Sequence, residues 1–120
     1  MREVAAGKRE GSALIALIEV NKPMIVELCE RFGVRRLALF GSAATGTFDP
    51  AASDLDFVVD FLDWGPGIFK RFFGFIVALE HLFGRRVDMV TEPIKDPWFR
   101  DEVEQTKDVV YETGRRETAA

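Results

Sequence analysis

The chain is poor in the residues that most often carry chemistry on their own. Its 120 residues include one cysteine, Cys29, one histidine, His81, and one tyrosine. A single cysteine excludes an intrachain disulfide framework and a cysteine-built zinc site. Cys29 follows Ile25 at helical spacing and reads as a small core residue. His81 sits inside a long helical pattern and reads as a surface or interface residue, which leaves a serine or cysteine hydrolase triad without its base. No apolar run reaches bilayer-spanning length, and the opening MREVAAGKRE lacks the apolar stretch of a signal peptide. Basic residues are outnumbered, 16 Lys and Arg against 20 Asp and Glu, for a net charge of −4. That balance argues against nucleic acid as a direct ligand, because such a surface needs clustered positive charge. The pairs Arg35-Arg36 and Arg85-Arg86 are too short to form it and read as solvated strand flanks. The expectation is a soluble, cytoplasmic domain with no membrane contact.

Apolar residues make up 48% of the chain, enough for a packed core without staples. One domain over residues 1–120 is expected, with loose tails at 1–11 and 114–120. Ser12 can cap a short helix carrying Leu14, Ile15, Leu17 and Ile18. Asn21 reads as the N-cap of a second helix, with Pro23 in its first turn and Gly33 at its end. Val34 to Phe40 is a strand stopped by Gly41-Ser42. A loop through Gly46 and Pro50 leads to a second strand, Asp54 to Leu62. Gly65-Pro66-Gly67 breaks the chain before the longest helix, Ile68 to Phe83, which Gly84 ends. Arg86 to Thr91 is a third strand, a polar helix spans Trp98 to Lys107, and Val109 to Tyr111 is a short fourth strand. Helices alternating with strands predict an α/β (α+β) layer fold, a small mixed β-sheet flanked by helices.

The second strand alternates. Asp54, Asp56 and Asp60 leave one face, and Leu55, Phe57, Val59 and Phe61 leave the other. Two carboxylates two residues apart repel each other unless a cation lies between them. Magnesium, a hard cation that takes oxygen ligands and keeps several waters, suits one or two carboxylates plus substrate phosphates. Asp88 interrupts Val87 and Met89 and offers a third carboxylate from another strand, as a two-metal arrangement would need. Gly41 at a strand end allows close backbone approach to a phosphate, and the Ser42 hydroxyl can bond a phosphate oxygen. Taken singly, each feature also fits a solvated sheet face or an ordinary turn; their order along the chain is what makes them informative. GSAATG lacks the Lys-Ser/Thr of a Walker A loop. Asp60 lies about 13 Å beyond Asp56 along an extended strand and is expected not to be a ligand.

These residues resemble the minimal nucleotidyltransferases (MNT) of the DNA polymerase beta-like nucleotidyltransferase superfamily. Leu-Phe-Gly-Ser, a short Gly-containing loop, Asp-x-Asp and a lone later Asp follow the order of that family. "FGVRRLALFGS", "RRVDMVTEP" and "PWFRDEVEQTKDVVYE" extend the likeness over roughly residues 12–112. The resemblance implies a nucleotidyltransferase fold and an enzyme that transfers a nucleoside monophosphate, AMP from ATP, in the presence of Mg2+. By matching position, Gly41 and Ser42 would bind the triphosphate. Asp54 and Asp56 would ligate magnesium, and Asp88 would be the third ligand or the base for the acceptor hydroxyl. It also implies a HEPN-type partner protein, with the chain as antitoxin of a toxin–antitoxin pair, and in some members AMP transfer to that partner. Two departures stand out. Ala43 to Ser53 make the spacer one residue longer than the family's usual one. Ala43 and Thr45 occupy positions that are often basic, so a catalytically weak domain that neutralises its partner by binding alone is the alternative. A small-molecule adenylyltransferase would need an additional acceptor domain.

The long helix carries more apolar surface than one sheet face needs. Ile68, Phe69, Phe72, Phe73, Phe75, Ile76, Leu79, Leu82 and Phe83 fill over half its circumference. The N-terminal helix could cover the excess. Otherwise Phe72 or Phe75 is expected at an interface with a HEPN-type partner or, as a homo-oligomer, with a second copy.

Overall fold

Gly33 shows how local chemistry sets the first boundary. Its backbone is left-handed (φ 72°), a conformation that only glycine adopts without a side-chain penalty, and helix α1 (Lys22–Phe32) stops there. The computed structural model describes residues 16–40 and 55–113. Strand β1 (Val34–Phe40) follows directly, then β2 (Leu55–Phe61), helix α2 (Ile68–Phe83), β3 (Val87–Thr91), helix α3 (Pro97–Thr106) and β4 (Asp108–Glu112). Residues 16–20 form a helical stretch ahead of α1.

The Ser12 cap, Leu14 and Ile15 of the expected first helix lie outside the described residues; the other expected elements are present, most within a residue of the expected bounds. Asn21 differs in role. It stands at the N-cap position of α1, yet its side chain makes no capping bond there. Its Nδ2 instead donates to the Leu17 carbonyl at 2.9 Å. The preceding helical stretch ends one residue earlier, and the Leu17 carbonyl there accepts both the Asn21 backbone N–H, at 3.3 Å, and the carboxamide. Pro97, one residue before the expected start at Trp98, is the first residue of α3; Asp96 caps that helix by accepting from the Trp98 N–H.

The four strands form one mixed sheet in the order β3-β2-β1-β4. β1 runs antiparallel to β2 and β4, and β2 runs parallel to β3. Helices α1 and α2 cover one face. Between them and the sheet lie Ile25, Leu28, Cys29, Leu37, Leu39, Phe57, Val59, Phe61, Phe75 and Leu79, all buried. The alternation read in β2 is borne out on this side, since Leu55, Phe57, Val59 and Phe61 all lie in this core. The helices approach closely at Gly74, where a Cβ would stand 2.9 Å from Phe32 Cε1.

Phe75 is fully buried in that core, so it cannot be an interface residue, and Phe72 is half-buried against the same cluster. An aromatic ring four residues from Leu79 on the sheet-facing stripe buries too much area to be left outside. The apolar surface that α2 does expose is a different line of residues: Phe69 (75% exposed), Phe73 (59%) and Val77 (50%), spaced four apart on its outer side.

The opposite face of the sheet is not the purely polar surface that its aspartates suggested. Val58, between Asp56 and Asp60, is buried together with Ala38, Phe40, Ile94 and Val103 in a second core under α3. Among the described residues no helix is long and apolar enough to cross a membrane.

Candidate active site

Strand register arranges the α3 face of the sheet in three rows. The near row is Phe40, Asp56 and Asp88, because Phe40 opposes Asp56 across β1 and β2 and Asp56 opposes Asp88 across β2 and β3. The middle row is Ala38, Val58 and Val90. The far row is Arg36 and Asp60, with Glu92 just past the end of β3, its N–H bonded to the Val59 carbonyl at 2.9 Å. α3 and Ile94 lie over the middle row and part the two polar rows.

The near row brings together two of the three carboxylates singled out in the sequence. Neighbouring strands lie about 4.8 Å apart, so register partners on one face project side by side. Asp88 belongs to this face because its neighbours Val87 and Met89 belong to the other core, while Val90 packs under α3. Asp88 is exposed and Asp56 half-buried. Gly41, Ser42 and Asp54 lie outside the described residues. In the chain Gly41 follows Phe40, the last residue of β1, and Asp54 precedes Leu55, the first residue of β2, so the chain leaves β1 and enters β2 at the near-row end. Among the described residues no three His, Cys, Asp or Glu side chains gather into a metal cage. The donor chemistry nevertheless suits magnesium: two carboxylates on adjacent strands supply hard oxygens and leave the remaining positions to water and phosphate.

Asp60 is placed differently. Its Oδ2 accepts from Arg35 Nε at 2.6 Å and its Oδ1 from Trp64 Nε1 at 3.0 Å. Arg36 donates to Glu92 Oε1 at 2.7 Å. A bulge in β1 between Val34 and Arg36 makes this possible, since the extra residue lets Arg35 and Arg36 both reach partners around Asp60. These arginines are therefore not solvated flanks, as their sequence position suggested: each side chain is 23% exposed and ion-paired. The hydrogen bond to Glu92 raises the Arg36 pKa above its ordinary value, against the opposing effect of desolvation. Cavities of about 390 Å³, lined by Asp60, Trp64, Glu92 and Pro93, and about 150 Å³, lined in part by Glu92, Arg100 and Glu104, sit on this far side of α3.

Sequence reasoning missed the wall of the near row. Phe99 of α3 packs edge-on against Phe40 with ring centroids 5.5 Å apart. A helix read as polar gave no sign of it except Phe99 and Val103, four apart.

Residues 24–113 match the nucleotidyltransferase domain family. The chain is 40% identical over 81 residues to the protein adenylyltransferase MntA of Thermococcus cleftensis, covering 65% of this chain and 79% of that one. A solved structure described as a proposed minimal nucleotidyltransferase superposes with a TM-score of 0.65 at 34% identity, over 79% of this chain and 93% of the other. A second, an MNT antitoxin in complex with the tri-AMPylated HEPN toxin of Shewanella oneidensis, gives a TM-score of 0.56 at 18% identity. It covers 80% of this chain and 73% of that one, and at that identity it shows a shared fold.

Proposed function

This chain belongs to the nucleotidyltransferase domain family, and from that premise we propose that it moves AMP from ATP to a hydroxyl of a partner protein. We place that activity in a cytoplasmic toxin–antitoxin pair, with this chain as antitoxin and a HEPN-type protein as acceptor. The observation that carries the reading is the side-by-side register of Asp56 and Asp88 at the strand end that leads into Gly41-Ser42. It is supported by the relatives, one a protein adenylyltransferase and one an MNT antitoxin bound to an AMPylated HEPN toxin.

In this reading Gly41 and Ser42 hold the triphosphate, and Asp54, Asp56 and Asp88 would hold magnesium. A bound Mg2+ supplies positive charge against the phosphates and the developing pyrophosphate. Asp88 lies on an edge strand and is exposed, so an acceptor hydroxyl can approach it from solvent. As base, its carboxylate takes the hydroxyl proton while the hydroxyl oxygen bonds to the α-phosphorus. The bond from that phosphorus to the bridging oxygen breaks, and pyrophosphate leaves with the electron pair. Buried Phe40, with half-buried Phe99 packed edge-on against it, limits water on one side of this row.

Partner docking is assigned to α2. Phe69, Phe73 and Val77 form an exposed apolar line, with aromatic residues of the kind that anchor interfaces.

Ala43 and Thr45, where the resembling family often has basic residues, favour a second reading in which the chain neutralises its partner by binding alone. One experiment separates the two. The chain and its genomic neighbour are co-expressed, and the neighbour is weighed by intact-mass spectrometry. AMP transfer adds a mass of one or more AMP groups, absent with Asp56→Asn/Asp88→Asn. An unmodified neighbour that is still neutralised by the double variant contradicts the enzymatic reading.

A further inference from the structure

Helix α3 presents three flanks. Phe99 and Val103 point to the sheet, where they pack on the second core. Arg100 and Glu104 line the cavity that also contains Glu92 and Pro93, so their flank faces the far row. With about 100° per residue, Trp98 lies about 100° from Phe99 and about 200° from Arg100. That leaves Trp98 on the flank facing the near row, the end that carries Phe40, Asp56 and Asp88. Its indole is 84% exposed, uncommon for the largest apolar side chain. Its backbone is nevertheless fixed. The Trp98 N–H donates to Asp96 Oδ1 at 3.1 Å, and the next residue, Phe99, is anchored on Phe40.

We propose that Trp98 is the stacking platform for the base of the nucleoside triphosphate held at the near row. This rests on the nucleotidyltransferase reading above and adds the residue that receives the base. A magnesium ion held by Asp56 and Asp88 would bind the phosphates and leave ribose and base to extend away from them. The exposed π-face belongs to the residue next to Phe99, whose ring packs on Phe40 at the end of that row. A stacking platform accepts any base, because every base has a π-face. The site should therefore separate ATP from GTP only weakly through this residue.

The test uses the two-tryptophan chain as it is. Trp64→Phe leaves Trp98 as the single tryptophan, and ATP with Mg2+ should quench its fluorescence. In calorimetry Trp98→Ala should weaken ATP binding about tenfold or more and leave inorganic tripolyphosphate binding unchanged, while Trp98→Phe should retain most of the affinity for ATP. Unchanged ATP affinity in Trp98→Ala overturns the proposal, including the case in which only partner binding is lost. Equal losses for ATP and tripolyphosphate overturn it too, because they mean that Trp98 supports the fold of the site rather than the base. A wild-type chain that binds neither probe overturns the nucleotidyltransferase reading itself, a result distinct from the other two.

Discussion

The near and far rows start from the same sequence signal, an aspartate on the outward face of β2, and end in opposite surroundings. Asp60 is 17% exposed and held by Arg35 and Trp64. Asp56 stands beside a second carboxylate, Asp88, on the next strand. Like charges in register destabilise a sheet unless something positive is brought in, and opposite charges at the same spacing stabilise it. The far row supplies its own cations from β1. The near row has Phe40 at the β1 position, and its two carboxylates on adjacent strands offer the hard oxygens that suit a magnesium ion arriving with substrate. The middle row of Ala38, Val58 and Val90 under α3 keeps the two arrangements apart.

The largest effect should come from breaking the near row alone. Asp88→Asn, or Asp56→Asn, keeps the shape of the side chain and removes its charge. Loss of a metal ligand or base should lower AMP transfer by at least about a thousandfold in a radiolabel assay, with the thermal midpoint little changed. A comparable loss in Asp60→Asn would erase the distinction between the rows.

Next comes the barrier between them. Val58→Asp would put a third carboxylate in line with Asp56 and Asp60, but in a dry layer without a partner. It should destabilise the fold by about 3 kcal/mol or more, read by urea denaturation. Near-neutral stability would mean that α3 does not seal the middle row.

Asp60→Asn should have a smaller effect and the reverse profile. Loss of the charged acceptor for Arg35 and Trp64 should cost about 1–3 kcal/mol of stability and leave ATP binding intact. The smallest effect offers a control. Cys29 lies on the buried side of α1, on the other face of the sheet from both rows, and burial pushes its thiol up to about 12. The unfolded thiol ionises near its ordinary value, so this group's stabilisation is complete below about pH 8.5 and is lost as pH rises towards 12. Labelling of the only cysteine at pH 8 should be slow in the folded chain and faster in Asp60→Asn, because it reports opening. It should not change in Asp56→Asn.

Much of this was legible in the sequence because period and punctuation carry it. Gly33, Gly84 and the alternation in β2 mark element ends and faces by local chemistry alone. Asp88 could be named as a partner for Asp56 because it breaks an apolar strand, although which strand lay beside which came only from the sheet. What stayed hidden is long-range. Val58 reads as one more apolar residue until α3 is seen above it. Arg35 and Arg36 read as flanks because a bulge, not a residue type, turns both toward Asp60. Phe75 and Phe69 are the same residue on the same helix, and only the position of the sheet decides that one is core and the other surface.

The central claim is that the near row, and not the far row, holds the metal–nucleotide. Calorimetry of ATP binding with and without Mg2+ tests it most directly, in wild type, Asp56→Asn/Asp88→Asn and Asp60→Asn. The account predicts binding that requires Mg2+, disappears in the near-row double variant and persists in Asp60→Asn. Equal ATP affinity with and without Mg2+, or binding that survives in Asp56→Asn/Asp88→Asn and fails in Asp60→Asn, would contradict it.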